Sequence, residues 1–277
     1  MKIIEYVICP HCDKDKFQKF KSVICCVNCN KKFTLNKNNQ IIFEEVYKPE
    51  SPNEKSLSLN LKNKTSFSWR ELNFIKTKNW LKNIDTNAFC LDLGCGPMTN
   101  KKLFFNHYKT IFMDGAKFDT VNIVCNFEKK IPLKSNSIDC VLLSNVLEHI
   151  FYPEKLLKEI NRILKKDGKC LILVPFFIKL HQEPYDYHRY TKHSLSKMLE
   201  LSNFNNFKIE EMGSHSNILV NLLKLDRKLN FNKNIIIKFI IILLQKLIFR
   251  LILLQKKLTG EIVSKITPQG YAIEITK

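Results

Sequence analysis

Neither of the two common glycine signatures of nucleotide binding occurs in this 277-residue chain. The G-x-G-x-x-G run of a dinucleotide fold is missing, and so is the lysine-bearing phosphate loop. No secretory leader is expected, because Met1–Lys2 opens onto a short apolar run and then cysteines. The expectation is a cytoplasmic, reducing compartment, and a disulfide scaffold is not expected at this length. Acids are scarce: 26 Asp and Glu stand against 45 Lys and Arg, a formal charge of +19. The lysines are scattered and do not cluster with aromatic platforms, so the charge alone does not mark a nucleic-acid site. An anionic membrane surface accounts for it equally well. With 45% apolar residues the chain can bury a sizeable core, in one large domain or in an ordinary domain with a small appendage.

What the chain does have begins with "CPHCDKDKFQKFKSVICCVNC", Cys9 to Cys29. Each C-x-x-C turn points two thiolates at one ion, and two such turns complete a tetrahedron. Cys9 and Cys12 form one knuckle and Cys26 and Cys29 the second. Cys25 has the wrong spacing to share a turn with Cys29. A strand, an Asn-rich turn and a second strand follow in "KFTLNKNNQIIFEE". This is a zinc-ribbon layout over residues 1–46, in which a structural zinc supplies the folding free energy that so small a core lacks. The isolated Cys90, Cys140 and Cys170 sit in apolar contexts and read as small buried hydrophobes.

Residues 47–66 are polar, contain two prolines and read as a linker to a main domain over 67–277. An amphipathic helix is expected in "SWRELNFIKTKNWLKNI", with Trp69, Leu72, Phe74, Ile75, Trp80 and Leu81 as its apolar residues. Five apolar runs follow, at 88–94, 110–115, 121–127, 137–145 and 169–175. Near-continuous apolar runs are the pattern of strands buried on both faces. Between the last two, Leu156, Leu157, Ile160, Ile163 and Leu164 share one helical face, with Pro153 near the start and Gly168 as the stop. Strands alternating with helices make a doubly wound, mostly parallel α/β sheet, whose ligands bind at the carboxyl ends of the strands. Gly94 and Gly96 stand at the first such end. Asp114 closes the second strand about twenty residues on, where an acid can accept from two ribose hydroxyls.

"LDLGCGP", Asp114, "IPLKSNSIDCVLLSNVLEHI" and "EINRILKKDGKCLILVPF" together resemble the class I S-adenosylmethionine-dependent methyltransferases, in the subtype whose fourth strand ends in a Leu-Glu-His run. The resemblance covers roughly residues 87–207. It implies a Rossmann-like sheet of seven strands with the last antiparallel; 206–213 and 270–277 fit the sixth and the closing strand. It also implies roles. Asp92, Gly94 and Gly96 would line the amino-acid part of the cofactor and Asp114 its ribose. Asn126 and Phe127 would meet the adenine, and Ser144 and Asn145 would close the pocket beneath the sulfonium. Two positions depart from the family: Met98 stands where a third glycine is usual, and Asn126 where an aspartate is usual. "HQEPYDYHRYT" (181–191) resembles a segment found in many members and should lie over the reaction site, with Thr191 capping the next helix. His149, His181 and His188 are the candidate bases for transfer to oxygen or nitrogen. Asp186 and Arg189 pair in the alternative, structural reading of this loop.

An apolar helical insertion over 215–260 contains "NKNIIIKFIIILLQKLIFRLILLQKK". On a helical wheel Lys238, Gln245, Lys246, Arg250 and Lys256 fall within an arc of roughly 140°. Central Lys and Arg each cost about 2.5–3.5 kcal/mol in a membrane span, and the closing strand must return to the sheet. The segment therefore reads as a basic helix lying in a membrane interface, or as a hairpin buried in a homodimer or over the active site. The functional expectation is a methyltransferase acting on a small-molecule, glycan or lipid-linked acceptor, peripheral to the inner face of a membrane. The alternatives are an RNA methyltransferase that holds its substrate with the ribbon, and a non-catalytic binding module of the same fold.

Overall fold

The computed structural model describes residues 3–48, 68–97, 101–104, 109–226, 235–259 and 267–277. Met98 and most of the expected linker, from residue 49 on, lie outside the described residues.

The chain opens with a short 3-10 turn (Ile3–Tyr6) and four short strands: β1 (Phe17–Lys19), β2 (Val23–Cys26), β3 (Lys32–Leu35) and β4 (Ile41–Ile42). They pair antiparallel in sequence order. The two cysteine knuckles are one local structure made twice. Asp13 and Asn30 each donate a backbone N–H to the first cysteine of their knuckle, Cys9 O and Cys26 O, at 2.9 Å. The N–H groups of Cys9 and Cys26 in turn reach Lys14 O and Lys31 O, at 2.8 and 2.9 Å. Asp13 and Asn30 adopt φ of 63° and 55°, a region Asp and Asn tolerate better than other side chains.

Helix α1 (Trp69–Leu81) starts at a Ser68–Glu71 capping box. Then come β5 (Phe89–Leu93), the single turn α2 (Lys101–Phe104), β6 (Lys109–Asp114), β7 (Ile123–Val124), β8 (Ile138–Ser144), α3 (Pro153–Ile163), β9 (Leu164–Pro175), α4 (Lys192–Leu201), β10 (Asn206–Met212), α5 (His215–Asp226), α6 (Ile235–Thr259) and β11 (Gly270–Thr276). The sheet order is β1-β2-β3-β4-β7-β6-β5-β8-β9-β11-β10. From β7 to β9 the pairing is parallel, and β11 runs antiparallel to both neighbours. This is the expected doubly wound, mostly parallel α/β sheet. Strand order reverses between β5 and β8, which opens the ligand crevice at their carboxyl ends.

The cysteine-bearing strands are not a separate bead. β4 adds in parallel to β7, the edge of the main sheet, and Val7, Ile24, Leu35 and Ile41 enter the same core as α3 and α4. On the opposite face α1 packs Trp69, Trp80 and Leu81 against alternate residues of the same strands, Cys90, Phe112 and Leu142 among them. Cys90, Cys140 and Cys170 are buried as expected. Thr191 caps α4 through Ser194 N, at 3.2 Å.

The structure corrects four details. Ile75 is exposed, and α1 buries Asn73 and Thr77 instead. The third expected strand, 121–127, shrinks to two residues, because the Asn122 side chain takes the Phe112 N–H that a longer ladder would use. Gly168 does not end α3: the helix stops at Ile163 and Gly168 lies inside β9. Gln245, expected on the outward polar stripe of α6, is buried beside Ile252.

Candidate functional site

β5 delivers Asp92 and the glycine turn. Gly94 has φ +80°, and a Cβ there would run into the Val146 side chain, so only glycine fits. Gly96 has φ +58°, and a Cβ built on it meets nothing within 4 Å among the described residues. Among the described residues that leaves open space next to bare backbone. Asp114, at the end of β6, accepts from Gly96 N at 2.8 Å through Oδ2, and from Ala116 N at 3.0 Å and the Tyr47 hydroxyl at 2.9 Å through Oδ1. Burial pushes its carboxyl pKa up, and those three donors pull against the rise. Asp92 is wholly buried, and its Oδ2 has no partner among the described residues. Burial, and then the charge of Asp114, push it up to about 8. A buried carboxylate with an unpartnered oxygen, on the strand that leads into the glycine turn, fits an ammonium ligand.

Asn126 uses Oδ1 on Glu128 N at 2.9 Å and donates Nδ2 to Glu44 at 3.2 Å; Phe127 beside it is buried. Asn145, at φ 56°, turns its carbonyl to α1, where it accepts from Trp69 Nε1 at 2.5 Å and Asn73 Nδ2 at 3.0 Å. Its amide reaches Ser144 Oγ at 3.3 Å. Helix α1 thus fixes the pair expected beneath the sulfonium. Tyr47 and Glu44 were not legible as site residues. They lie just past β4, and only the β4–β7 pairing brings them to Asp114 and Asn126.

The Leu-Glu-His run after β8 forms a 3-10 turn, Leu147–His149. The 181–191 loop is stitched to it by Tyr187 N and His188 N on Glu148 O, at 3.0 and 3.2 Å, and by the Tyr190 hydroxyl on Leu147 O, at 2.9 Å. The structure brings His149 and His181 together, ring centroids 4.8 Å apart and edge to face. Their Nε2 atoms each stand 3.6 Å from Glu148 Oε1. His188 is not among them; it stacks on Tyr190 and contacts Phe151 O. Asp186 and Arg189 make a two-pronged ion pair at 2.6 and 2.8 Å. Arg189 holds the Asp186 carboxyl down at about 2. The Tyr47 and Tyr185 rings, 6.3 Å apart, connect this cluster to the Asp114 corner.

At the N-terminus the thiols of Cys9, Cys12, Cys26 and Cys29 lie within 4.8 Å of one another. Cys9 and Cys29 Sγ are 3.6 Å apart, and Cys12 and Cys26 Sγ 3.5 Å. Tetrahedral zinc with bonds of about 2.3 Å sets sulfurs about 3.8 Å apart, so the four fit one ion. Cys25 turns its thiol to the Cys26 carbonyl.

The family described as "Methyltransferase domain" matches residues 91–172, from β5 into β9. An uncharacterised protein of Methanocaldococcus jannaschii is 32% identical over 146 residues, which are 48% of this chain and 59% of that protein. The match thus spans less than two thirds of that relative. A methyltransferase structure from Archaeoglobus fulgidus is 21% identical at a TM-score of 0.49, covering 75% of this chain and 94% of its own. A possible histamine N-methyltransferase of Thermotoga maritima is 16% identical at 0.46, covering 76% and 91%. Residues 91–172 thus carry a methyltransferase-domain pattern, set on a doubly wound, mostly parallel α/β sheet.

Proposed function

We propose that this protein transfers a methyl group from S-adenosylmethionine to an oxygen or nitrogen of a small-molecule, glycan or lipid-linked acceptor. The observation that carries the reading is the buried Asp92 carboxylate, whose Oδ2 has no partner among the described residues, at the end of the strand that leads into the Gly94–Gly96 turn. When bound, the cofactor supplies a methyl group on a positively charged sulfonium. Asp92, Gly94 and Gly96 would hold its amino-acid part, Asp114 its ribose, Asn126 and Phe127 its adenine. Ser144 and Asn145 wall the floor of the pocket. The acceptor would enter beside the Glu148, His149 and His181 cluster. The cysteine cluster holds a structural zinc, because four protein ligands leave no open position. The test is calorimetry with the cofactor, followed by the mass change of lipid, glycan and RNA fractions given labelled cofactor. Label in the RNA fraction alone would replace the acceptor class, and no cofactor binding would end the reading.

Asp92 yields a signed pH effect. With its pKa near 8, it is protonated in the free protein at pH 7, and a cofactor ammonium favours the carboxylate. Binding at pH 7 should therefore release about one proton, and the release should fade above pH 9. Calorimetry in two buffers of different ionisation enthalpy reads this directly. Equal heats in both buffers would show that Asp92 does not meet the ammonium. In the free protein the same raised pKa means that stability falls as pH rises from about 4 through 8, where the fold holds a proton that the unfolded chain has lost.

The reading also puts the protein on the inner face of a membrane. Among the described residues no helix is long and apolar enough to cross one. Helix α6 nevertheless exposes Phe239, Ile240, Leu243, Leu244, Leu247, Leu251 and Leu254 along one side, with Lys246 and Arg250 exposed beside them. Such a face suits an anionic interface, each basic residue adding about 1 kcal/mol near the surface. Flotation with acidic vesicles should carry the protein up at low salt and less of it at high salt. Replacing Ile240, Leu244 and Leu251 by Ser should release it with cofactor binding intact. Wild-type protein left in the soluble fraction would refute the membrane placement. A lowered melting temperature or a lost dimer in the triple variant would mean a protein partner covers the face.

A further inference from the structure

Glu148 has no exposed surface, and neither of its carboxylate oxygens has a hydrogen-bond partner among the described residues. His149 Nε2 is buried and unpartnered in the same way. An uncompensated buried carboxylate is too costly to keep without reason. The tautomers of the two imidazoles are set by their other nitrogens. His149 Nδ1 lies 3.1 Å from Tyr185 O and His181 Nδ1 3.2 Å from Lys179 O. A carbonyl can only accept, so both Nδ1 atoms carry the hydrogen. In the neutral imidazoles both Nε2 atoms then present lone pairs, and both stand 3.6 Å from the same carboxylate oxygen. That is too long for a hydrogen bond. Three electron-rich atoms converging on one point repel one another unless a cation sits between them.

We propose that Glu148, His149 and His181 bind a divalent first-row transition-metal ion, separate from the four-cysteine site. The spacing suits it. Ligands about 2.1 Å from a tetrahedral ion stand about 3.4 Å apart, and the ligand atoms here all fall within 4.8 Å of one another. Two imidazoles and a carboxylate favour zinc, iron, cobalt or manganese over calcium or magnesium, which prefer all-oxygen shells. The outer contacts are those of a metal site: each imidazole is fixed by a backbone carbonyl through Nδ1. Asp186, gripped by Arg189, accepts from His181 N at 2.9 Å and locks the loop that brings His181 in. Three protein ligands leave positions open. An acceptor hydroxyl bound at one would have its pKa lowered by the ion, with the imidazoles acting as ligands rather than as bases. That use rests on the methyltransferase reading; the binding of the ion does not.

Cobalt(II) separates the two sites by spectrum. The metal-stripped full-length protein should take up one equivalent with an intense near-ultraviolet sulfur-to-cobalt band, and a second that adds only weak visible bands. Glu148→Gln and His181→Ala should each lose the second equivalent and keep the sulfur band. Cofactor calorimetry and circular dichroism on both variants report whether the fold is intact. His181 is partly exposed, at 29% of its side chain, so its variant stands if Glu148→Gln fails to fold. A wild-type protein that takes up only the sulfur-bound equivalent would overturn the proposal and leave a shared proton as the cation. The second equivalent without cofactor binding would keep the metal site and end the methyltransferase reading alone.

Discussion

Cys26→Ser is expected to strip the four-cysteine site of its metal and, with it, to weaken cofactor binding at a site formed by other strands. Cys26 is fully buried at the end of β2, and its thiol meets Cys12 Sγ at 3.5 Å. Burial resists its ionisation, yet the N–H groups of Cys29 and Asn28 donate to the sulfur and bring its pKa down to about 7. Structural zinc contributes about 10–16 kcal/mol in small cysteine modules, far more than four strands of two to four residues can supply by burial. The effect should travel because the module continues the main sheet. Ile41 N donates to Asn122 O and Phe43 N to Val124 O, both at 2.9 Å, and Val46 N to Gly115 O at 2.8 Å. That ladder sets Tyr47 on Asp114 and Glu44 on Asn126. Loss of the metal should release the 41–47 segment, raise hydrogen exchange there first, and lower cofactor affinity about tenfold. Cys25→Ser should change nothing. Full metal in the four-cysteine site of Cys26→Ser would overturn the ligand assignment, and metal loss with unchanged affinity would overturn the coupling.

The parts legible in the sequence were those that local chemistry dictates. β5, β6, β8 and β9 are buried on both faces, so they read as unbroken apolar runs whatever surrounds them. The knuckles read from cysteine spacing, and the glycine turn from its place after a strand. What escaped depends on contacts distant in sequence. Tyr47 sits at the edge of a polar, proline-containing stretch, and nothing local distinguishes it from a linker residue. Its role comes from β4 pairing with β7, some eighty positions on, and no periodicity encodes that. Glu148 was visible in the Leu-Glu-His run, yet only His149 drew attention. An acid in a turn reads as solvated until the 181–191 loop closes over it. Gln245 failed for a similar reason. The helical wheel sorted polar from apolar residues correctly, but the side facing the protein is set by Val220 and Phe249 packing around Ile252, and the wider apolar side was left outside.

Asp114→Ala is expected to weaken cofactor binding roughly a hundredfold while the domain stays folded. Asp114 is 3% exposed and is where the glycine turn, the β6 end and the N-terminal module meet. A charged acceptor holding two ribose hydroxyls contributes about 1.5–3 kcal/mol per bond, and about 1.4 kcal/mol is a tenfold change in affinity. The substitution also leaves Gly96 N, Ala116 N and the Tyr47 hydroxyl without their acceptor. Part of the loss is therefore a loosened turn rather than a missing ribose contact. Asp114→Asn separates the two, since its amide oxygen can keep Ala116 N or Gly96 N while the charge is gone. It should lose about tenfold, less than alanine. Circular dichroism and the melting transition should show both variants folded, because Asp114 lies at a strand end and the apolar residues around it, Met113, Val124 and Ala116, stay buried. Calorimetry gives the dissociation constants. If the alanine variant stays folded and its constant moves by much less than tenfold, Asp114 does not hold the ribose, and its buried carboxylate serves only to tie the Gly96 turn to Tyr47.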